Sequence, residues 1–247
     1  MDNREIKQLV GNTPNMTMEQ AVSLTSFIEK NKIRNILELG FGHGVSTSYM
    51  AAALSRIGEG SIITIDKEEA RQRKPNIETL LNKVSESDRV TIYYEPTSYT
   101  WRLMKLLEQE SQPTFDLCYL DGAHNWFVDG FAFYLVNLLL KPGGWIIFDD
   151  LDWTYSQSPG LRDSNFVKDM PKEERETPQV RKVYELLVKN HPDYCNFKVE
   201  GDWAYAQKRN TTDGKSSERK IVVEKIIQKE YYGMGHFLEK VAGKLFK

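Results

Sequence analysis

Apolar positions along the chain fall into two alternating kinds of stretch. Short, nearly continuous apolar runs occupy 35–39, 61–65, 90–94, 115–120 and 145–148. Between them, 46–57, 77–84, 99–108 and 126–140 have helical length and amphipathic spacing. This alternation predicts a parallel sheet covered by helices on both faces: a strand buried on both sides reads as an unbroken apolar run, and each parallel crossover needs a helix. Thr17-Met-Glu-Gln20 has the form of a capping box and opens a further helix to about Lys30, with Ala21, Leu24, Phe27 and Ile28 on one face. Lys141-Pro-Gly-Gly144 stops the preceding helix and turns into the fifth strand. Residues 151–177 break the rhythm with Pro159, Gly160, Pro171 and a charged run, and read as a loop or lid. Pro178 starts a helix over 179–189, and 194–200, Gly201-Asp202 and 203–207 read as a hairpin.

The plan is one doubly wound α/β domain over 1–208. After it, 209–218 is a linker by composition, and 220–246 suggests a basic amphipathic helix interrupted at Gly233-Met-Gly235. This appendage is too short to fold alone. Three uses are open to it: packing on the domain or on a second copy as a homo-oligomer, lying on an anionic membrane, or standing in solvent.

Composition adds exclusions. With 40% apolar and 28% charged residues, the chain has a sizeable core and is neither disordered nor a disulfide scaffold. The net charge of −2 is a sum of opposites. Residues 209–247 hold nine Lys or Arg against five Asp or Glu, which leaves −6 on the rest. An acidic body argues against nucleic acid as a partner. Cys118 and Cys195 lie far apart without metal spacing, and Cys118 sits in an apolar run. Together with a charged N-terminus and no apolar run long enough to span a bilayer, this leads us to expect a cytoplasmic protein.

The chemistry begins at Glu38-Leu-Gly-Phe-Gly-His-Gly44, which follows a strand and opens a helix. Gly40, Gly42 and Gly44 let the backbone turn tightly and approach a ligand. Asp66 ends the second strand, where a carboxylate can accept both hydroxyls of a ribose. A tight strand-to-helix turn without a ligand is the bland alternative. A dinucleotide fits less well, because its G-x-G-x-x-G fingerprint would place a glycine where Val45 stands.

On these residues the chain resembles the class I S-adenosylmethionine-dependent methyltransferases. Glu38 through Gly44 matches their E/D-x-G-x-G-x-G motif, Asp66 their ribose-binding acid, and Pro142-Gly-Gly144 and the terminal hairpin their later landmarks. The resemblance implies a Rossmann-like seven-stranded sheet of order 3-2-1-4-5-7-6 with strand 7 antiparallel. It also implies that Glu38 and the glycine loop hold the methionine end of S-adenosylmethionine and Asp66 the ribose. Thr97 and Ser98 would lie near the adenine, and Asp121 is expected to border the donor as well as the metal.

Asp121 ends the fourth strand, and Asp149 and Asp150 end the fifth. Neighbouring strands lie about 5 Å apart, so three carboxylates converge on one edge. They would repel unless a cation joined them, and oxygen ligands suit Mg²⁺. The alternative is that one or two of them cap helices or bind backbone amides. Asp152 is a lesser fourth candidate. The cluster resembles the metal site of catechol-type O-methyltransferases, with Asp-Asp where those have Asp-Asn, and the wider D-G-x-H group that includes macrocin-type enzymes. In the catechol-type enzymes the position of His124 carries the general base; a metal ligand or helix cap is the alternative here. Strand 4 lacks the Asn-Pro-Pro-Tyr of nucleobase methyltransferases.

Trp153 and Tyr155 are expected to wall a substrate site, and Trp126, Phe127 and Trp203 to be core. His43 reads as a cofactor neighbour, and His191 and His236 as surface residues. The expected function is methyl transfer from S-adenosylmethionine to a hydroxyl of a small molecule, a sugar or natural-product ring, assisted by a divalent cation. A metal-independent N- or O-methyltransferase, a hydroxylase-like relative and a non-catalytic binding or assembly protein remain as alternatives.

Overall fold

A computed structural model describes residues 1–210; the tail expected over 220–246, with any second copy or membrane it meets, lies outside the described residues. Seven strands form one sheet: β1 Asn35–Leu39, β2 Ser61–Lys67, β3 Val90–Glu95, β4 Phe115–Leu120, β5 Leu140–Phe148, β6 Tyr194–Glu200 and β7 Trp203–Lys208. Their order is β3-β2-β1-β4-β5-β7-β6. The first five pair in parallel, and β7 runs antiparallel to both β5 and β6. This is the topology that the resemblance implies.

Nine helices flank the sheet among the described residues: α1 Asn3–Val10, α2 Met18–Lys30, α3 Val45–Ile57, α4 Ile77–Lys83, α5 Tyr99–Gln109, α6 Trp126–Leu139, α7 Asn165–Lys168, α8 Lys172–Glu176 and α9 Gln179–Lys182, which continues as π-helical turns over Val183–Val188. The period of two along each strand divides the core. Ile36, Ile62, Leu117, Tyr119 and Ile147 face one layer, with Ile6, Leu24, Met50 and Leu80 of α1–α4. Leu37, Leu39, Ile65, Cys118 and Ile146 face the other, with Leu103, Phe133 and Val183. Each such side chain is essentially unexposed and contributes about 2 kcal/mol by leaving water.

Three readings of the sequence change. Trp126 and Phe127 are not core: they are 40% and 67% exposed, because the first turn of α6 stands at the sheet's end. His191 is not a plain surface residue; its ring meets Phe133 and Tyr194 edge-on. The segment 151–177 contains α7 and α8, each too short for its periodicity to be legible. The Thr17–Gln20 capping box forms as read.

Helix α3 is placed by Gly44, whose φ of +90° is open to glycine at little cost. An added Cβ there would lie 2.8 Å from Cβ and 2.9 Å from Cα of Ile77. Gly44→Ala is expected to cost about 2 kcal/mol and lower Tm by roughly 5 °C, read by thermal denaturation. An unchanged Tm would mean that α4 gives way freely.

Candidate active site

The parallel strands all end at one edge, where ligands of open α/β sheets bind. The sheet's hydrogen bonding continues one residue past the strand ends. Gly40 N–H donates to the Ile65 carbonyl (2.8 Å), Asp121 N–H to Leu39 (2.8 Å) and Asp149 N–H to Leu120 (3.0 Å). Gly40, Asp121 and Asp149 are thereby set side by side. A Cβ on Gly40 would fall 1.9 Å from the Asp121 carbonyl oxygen, so only glycine lets these strand ends close.

A cavity of about 450 Å³ opens on this edge. Gly40, Gly42 and Asp66 line one part, and Asp121, His124, Asp149 and Asp150 line another. Asn15, Arg73 and the capping-box residues Thr17 and Gln20, none of them expected at the site from the sequence, also line the wall. Asp66 turns back on the loop: its Oδ2 accepts from Phe41 N–H (3.2 Å) and Gly42 N–H (2.8 Å). His43 is tied by Nδ1 to the Pro75 carbonyl.

Four residues of the expected set are not part of that lining. Glu38 lies beneath the loop with no exposure; Ser46 donates to its Oε1, and Thr47 and Thr64 donate to its Oε2. Burial raises its pKa to about 7 against the pull of those three hydroxyls. Gly44 caps α3. Thr97 and Ser98 follow β3, and the Ser98 hydroxyl caps α5 by accepting from Thr100 N–H.

The acidic end is finely partitioned. Asp149 is buried and fully engaged: one oxygen accepts from the Trp203 indole (2.5 Å) and from Asp150 N–H (2.7 Å), and the other from the Tyr119 hydroxyl. Asp152 is taken by Arg181 in a two-point pair of 2.5 and 2.6 Å. That leaves Asp121, His124 and Asp150, each half-buried or nearly so, with ligand atoms all within 4.8 Å of one another. His124 Nε2 stands 3.3 Å from Asp121 Oδ1 and 3.3 Å from Asp150 Oδ2.

The backbone is bent to make this arrangement. His124 (φ +54°) and Asp150 (φ +53°) both occupy the left-handed region, which side-chain-bearing residues seldom adopt. The turn carrying His124 is braced from below. Asp129 in the first turn of α6 accepts from Asn125 N–H (3.0 Å) and from the Tyr99 hydroxyl, and that hydroxyl accepts from Ala123 N–H. Burial, with the neighbouring carboxylates, pushes the Asp121 carboxyl well above its usual range, and burial raises Asp150 as well. Burial opposes the charged His124 ring, but the hydrogen bond to Asp121 and the two negative charges outweigh it and raise its pKa. The cluster thus favours a positive charge at its centre, whether proton or cation.

Tyr119, Trp203, Tyr99 and Asp129 are the supporting residues that sequence reasoning missed or read as plain core. Only Asp129 left a signal, as an acid in the first turn of a helix.

Residues 37–151 match a family model described as a methyltransferase domain. The fold is similar to that of the O-methyltransferase TomG from Streptomyces achromogenes, which is involved in tomaymycin synthesis and was solved with S-adenosylmethionine (19% identity, 84% of this chain and 89% of that one, TM-score 0.59). It is similar to an O-methyltransferase from Bacillus cereus in complex with S-adenosylhomocysteine (19%, 85% and 92%, TM-score 0.60), and to the Podospora anserina methyltransferase PaMTH1 (16%, 85% and 88%, TM-score 0.59). No curated protein matches the chain in sequence. The chain shares the topology of these methyltransferases, and the stretch matched by the family model runs from the first strand through the acidic ends of β4 and β5. No helix among the described residues is long and apolar enough to cross a membrane.

Proposed function

We propose that the protein transfers the methyl group of S-adenosylmethionine to a hydroxyl of a small molecule, and that a divalent cation assists. The observation that carries this reading is the shared cavity: the glycine loop and Asp66 line one part of it, and Asp121, His124 and Asp150 converge in another. The set of two carboxylates and one imidazole fits a divalent cation, and the crowding of negative charge favours one: the oxygens suit Mg²⁺ or Mn²⁺, while the His124 nitrogen moves the choice toward a transition ion. When bound, such a cation acidifies a hydroxyl next to it and stabilises the alkoxide.

The chain's own residues supply position. Asp121, Asp150 and His124 are the proposed ligands, and Asp149 holds the Asp150 backbone in place. His124 offers the same Nε2 as ligand or as base, so in this arrangement the acceptor's proton leaves to solvent. Gly40 and Gly42 keep the loop open to the methionine portion of the donor, and Asp66 borders the ribose. The acceptor oxygen attacks the sulfonium methyl in line, the C–S bond breaks, and S-adenosylhomocysteine leaves. Rate comes from alignment and from stabilising the developing charge.

Stripping the protein with EDTA is expected to lower methyl transfer about 100-fold across a panel of sugars, phenols and glycosylated metabolites, with Mg²⁺ restoring it. S-adenosylhomocysteine release is the measurement. Full activity in the stripped protein would instead make His124 a metal-free general base, the reading favoured by its hydrogen bond to Asp121.

A further inference from the structure

A second cavity, of about 260 Å³, lies beside the acidic end and has no part in the scheme above. Phe127 of α6, Tyr155, Phe166 of α7 and Met170 line it, and Asp169 and Glu174 complete it on the side of α8.

Three observations bear on what it holds. The first is continuity with the acidic end. The His124 ring lies 4.9 Å from Trp153, Trp153 lies 4.8 Å from Tyr155, and Tyr155 lies 5.8 Å from Phe166, centroid to centroid. The cavity is thus two ring-to-ring steps of under 5 Å from the proposed reaction centre. The second is exposure. Phe127 and Phe166 are 67% and 62% exposed, so two phenyl rings border one hollow without being covered. The third is charge. Among the described residues neither Asp169 nor Glu174 is ion-paired, and both line the cavity, whereas their basic chain neighbours Lys168, Lys172 and Arg175 do not.

Aromatic faces and carboxylates share one preference. The ring quadrupole attracts a cation, the carboxylates attract it further, and both repel an anion. We propose that this cavity binds a protonated amine carried by the methyl acceptor. The assignment rests on the methyl-transfer reading for the word acceptor. It narrows the acceptor to an aminated, partly apolar molecule whose hydroxyl and amine lie about two ring-widths apart, with Trp153 spanning the interval.

The test is calorimetric titration of the full chain, without methyl donor or metal, with three probes of one shape. These are 2-phenylethylamine, 2-phenylethanol and 3-phenylpropionate. The amine is expected to bind at least about tenfold more tightly than the alcohol, and the carboxylate not measurably. Asp169→Asn with Glu174→Gln is expected to abolish that preference. Both side chains are exposed, so an unchanged Tm will show the fold intact. Phe127→Ala is expected to weaken amine and alcohol alike. Equal binding of the three probes, or no binding, overturns the proposal. So does a preference that survives the double variant, since the amine would then sit on Asp121 and Asp150. A protein that binds the amine but transfers no methyl group keeps this assignment of the cavity and loses the methyl-transfer reading. One that methylates neutral acceptors and shows no amine preference does the reverse.

Discussion

Asp121→Ala is expected to lower methyl transfer by about three orders of magnitude while leaving S-adenosylmethionine affinity within a few-fold of the native protein. The size follows from what the side chain does. It is one of two carboxylates facing His124 Nε2 at 3.3 Å, so its loss removes a proposed cation ligand and half of the charge that holds the imidazole. The selectivity follows from what the backbone does. The Asp121 carbonyl against Gly40 and its N–H on Leu39 join β4 to the glycine loop, and an alanine keeps both. Asp121→Asn is the companion variant: it preserves shape and a hydrogen bond to His124 but not the charge, and is expected to lose nearly as much activity. S-adenosylhomocysteine release gives the rate and calorimetry the affinity. Loss of cofactor binding with activity would place Asp121 in the donor site instead.

Glu38→Ala is expected to destabilise the domain by about 4 kcal/mol. The substitution strands the hydroxyls of Ser46, Thr47 and Thr64 in a site without exposure and leaves a void beneath the loop. Glu38→Gln retains volume and hydrogen bonding, and separates packing from charge through pH. The Glu38 carboxyl titrates near 7 in the folded chain, above its ordinary 4.5. The folded state therefore holds this proton more tightly than the unfolded state. The associated stability is complete below about 4.5, declines as pH rises between the two values, and is gone above 7. Two and a half units correspond to about 3 kcal/mol. Denaturant titrations from pH 4.5 to 7.5 should show that slope in the native protein, and the Gln variant should be flatter. Parallel slopes would show that the three hydroxyls hold Glu38 ionised throughout.

The sheet was legible because its signal is local and repeated. Each of β1 to β5 is an apolar run, and the Gly201-Asp202 turn marks the hairpin. Helix α1 was overlooked although Asp2 and Glu5 form a capping box, because only Ile6 and Val10 of its eight residues are buried and its periodicity is short. The convergence of Asp121, Asp149 and Asp150 was legible from strand ends alone. Their division of labour was not. It depends on Tyr119 from β4 and Trp203 from β7, 30 and 54 residues from Asp149, reaching the same carboxylate. Likewise, Glu38 sits in the motif that the resemblance assigns to the donor, but the alternation of β1 sends its side chain under the loop rather than into the cavity. Trp126 and Phe127 read as core because aromatic composition carries no sign of which helical turn projects past a sheet.

The hydrogen bond from Trp203 to Asp149 sets an order of events during synthesis. Apart from Trp203 and the Asp202 carbonyl, which accepts from Leu151 N–H, the groups around the acidic end are encoded before residue 182, so a nascent chain can form five strands and bring the carboxylates together while the hairpin is still unmade. At that stage Asp149 lacks its indole partner, and the strand that seals the far side of β5 is missing. The last pair of strands therefore finishes the chemistry as well as the sheet. Competence for metal and substrate is expected to arrive late and in one step, when β7 docks.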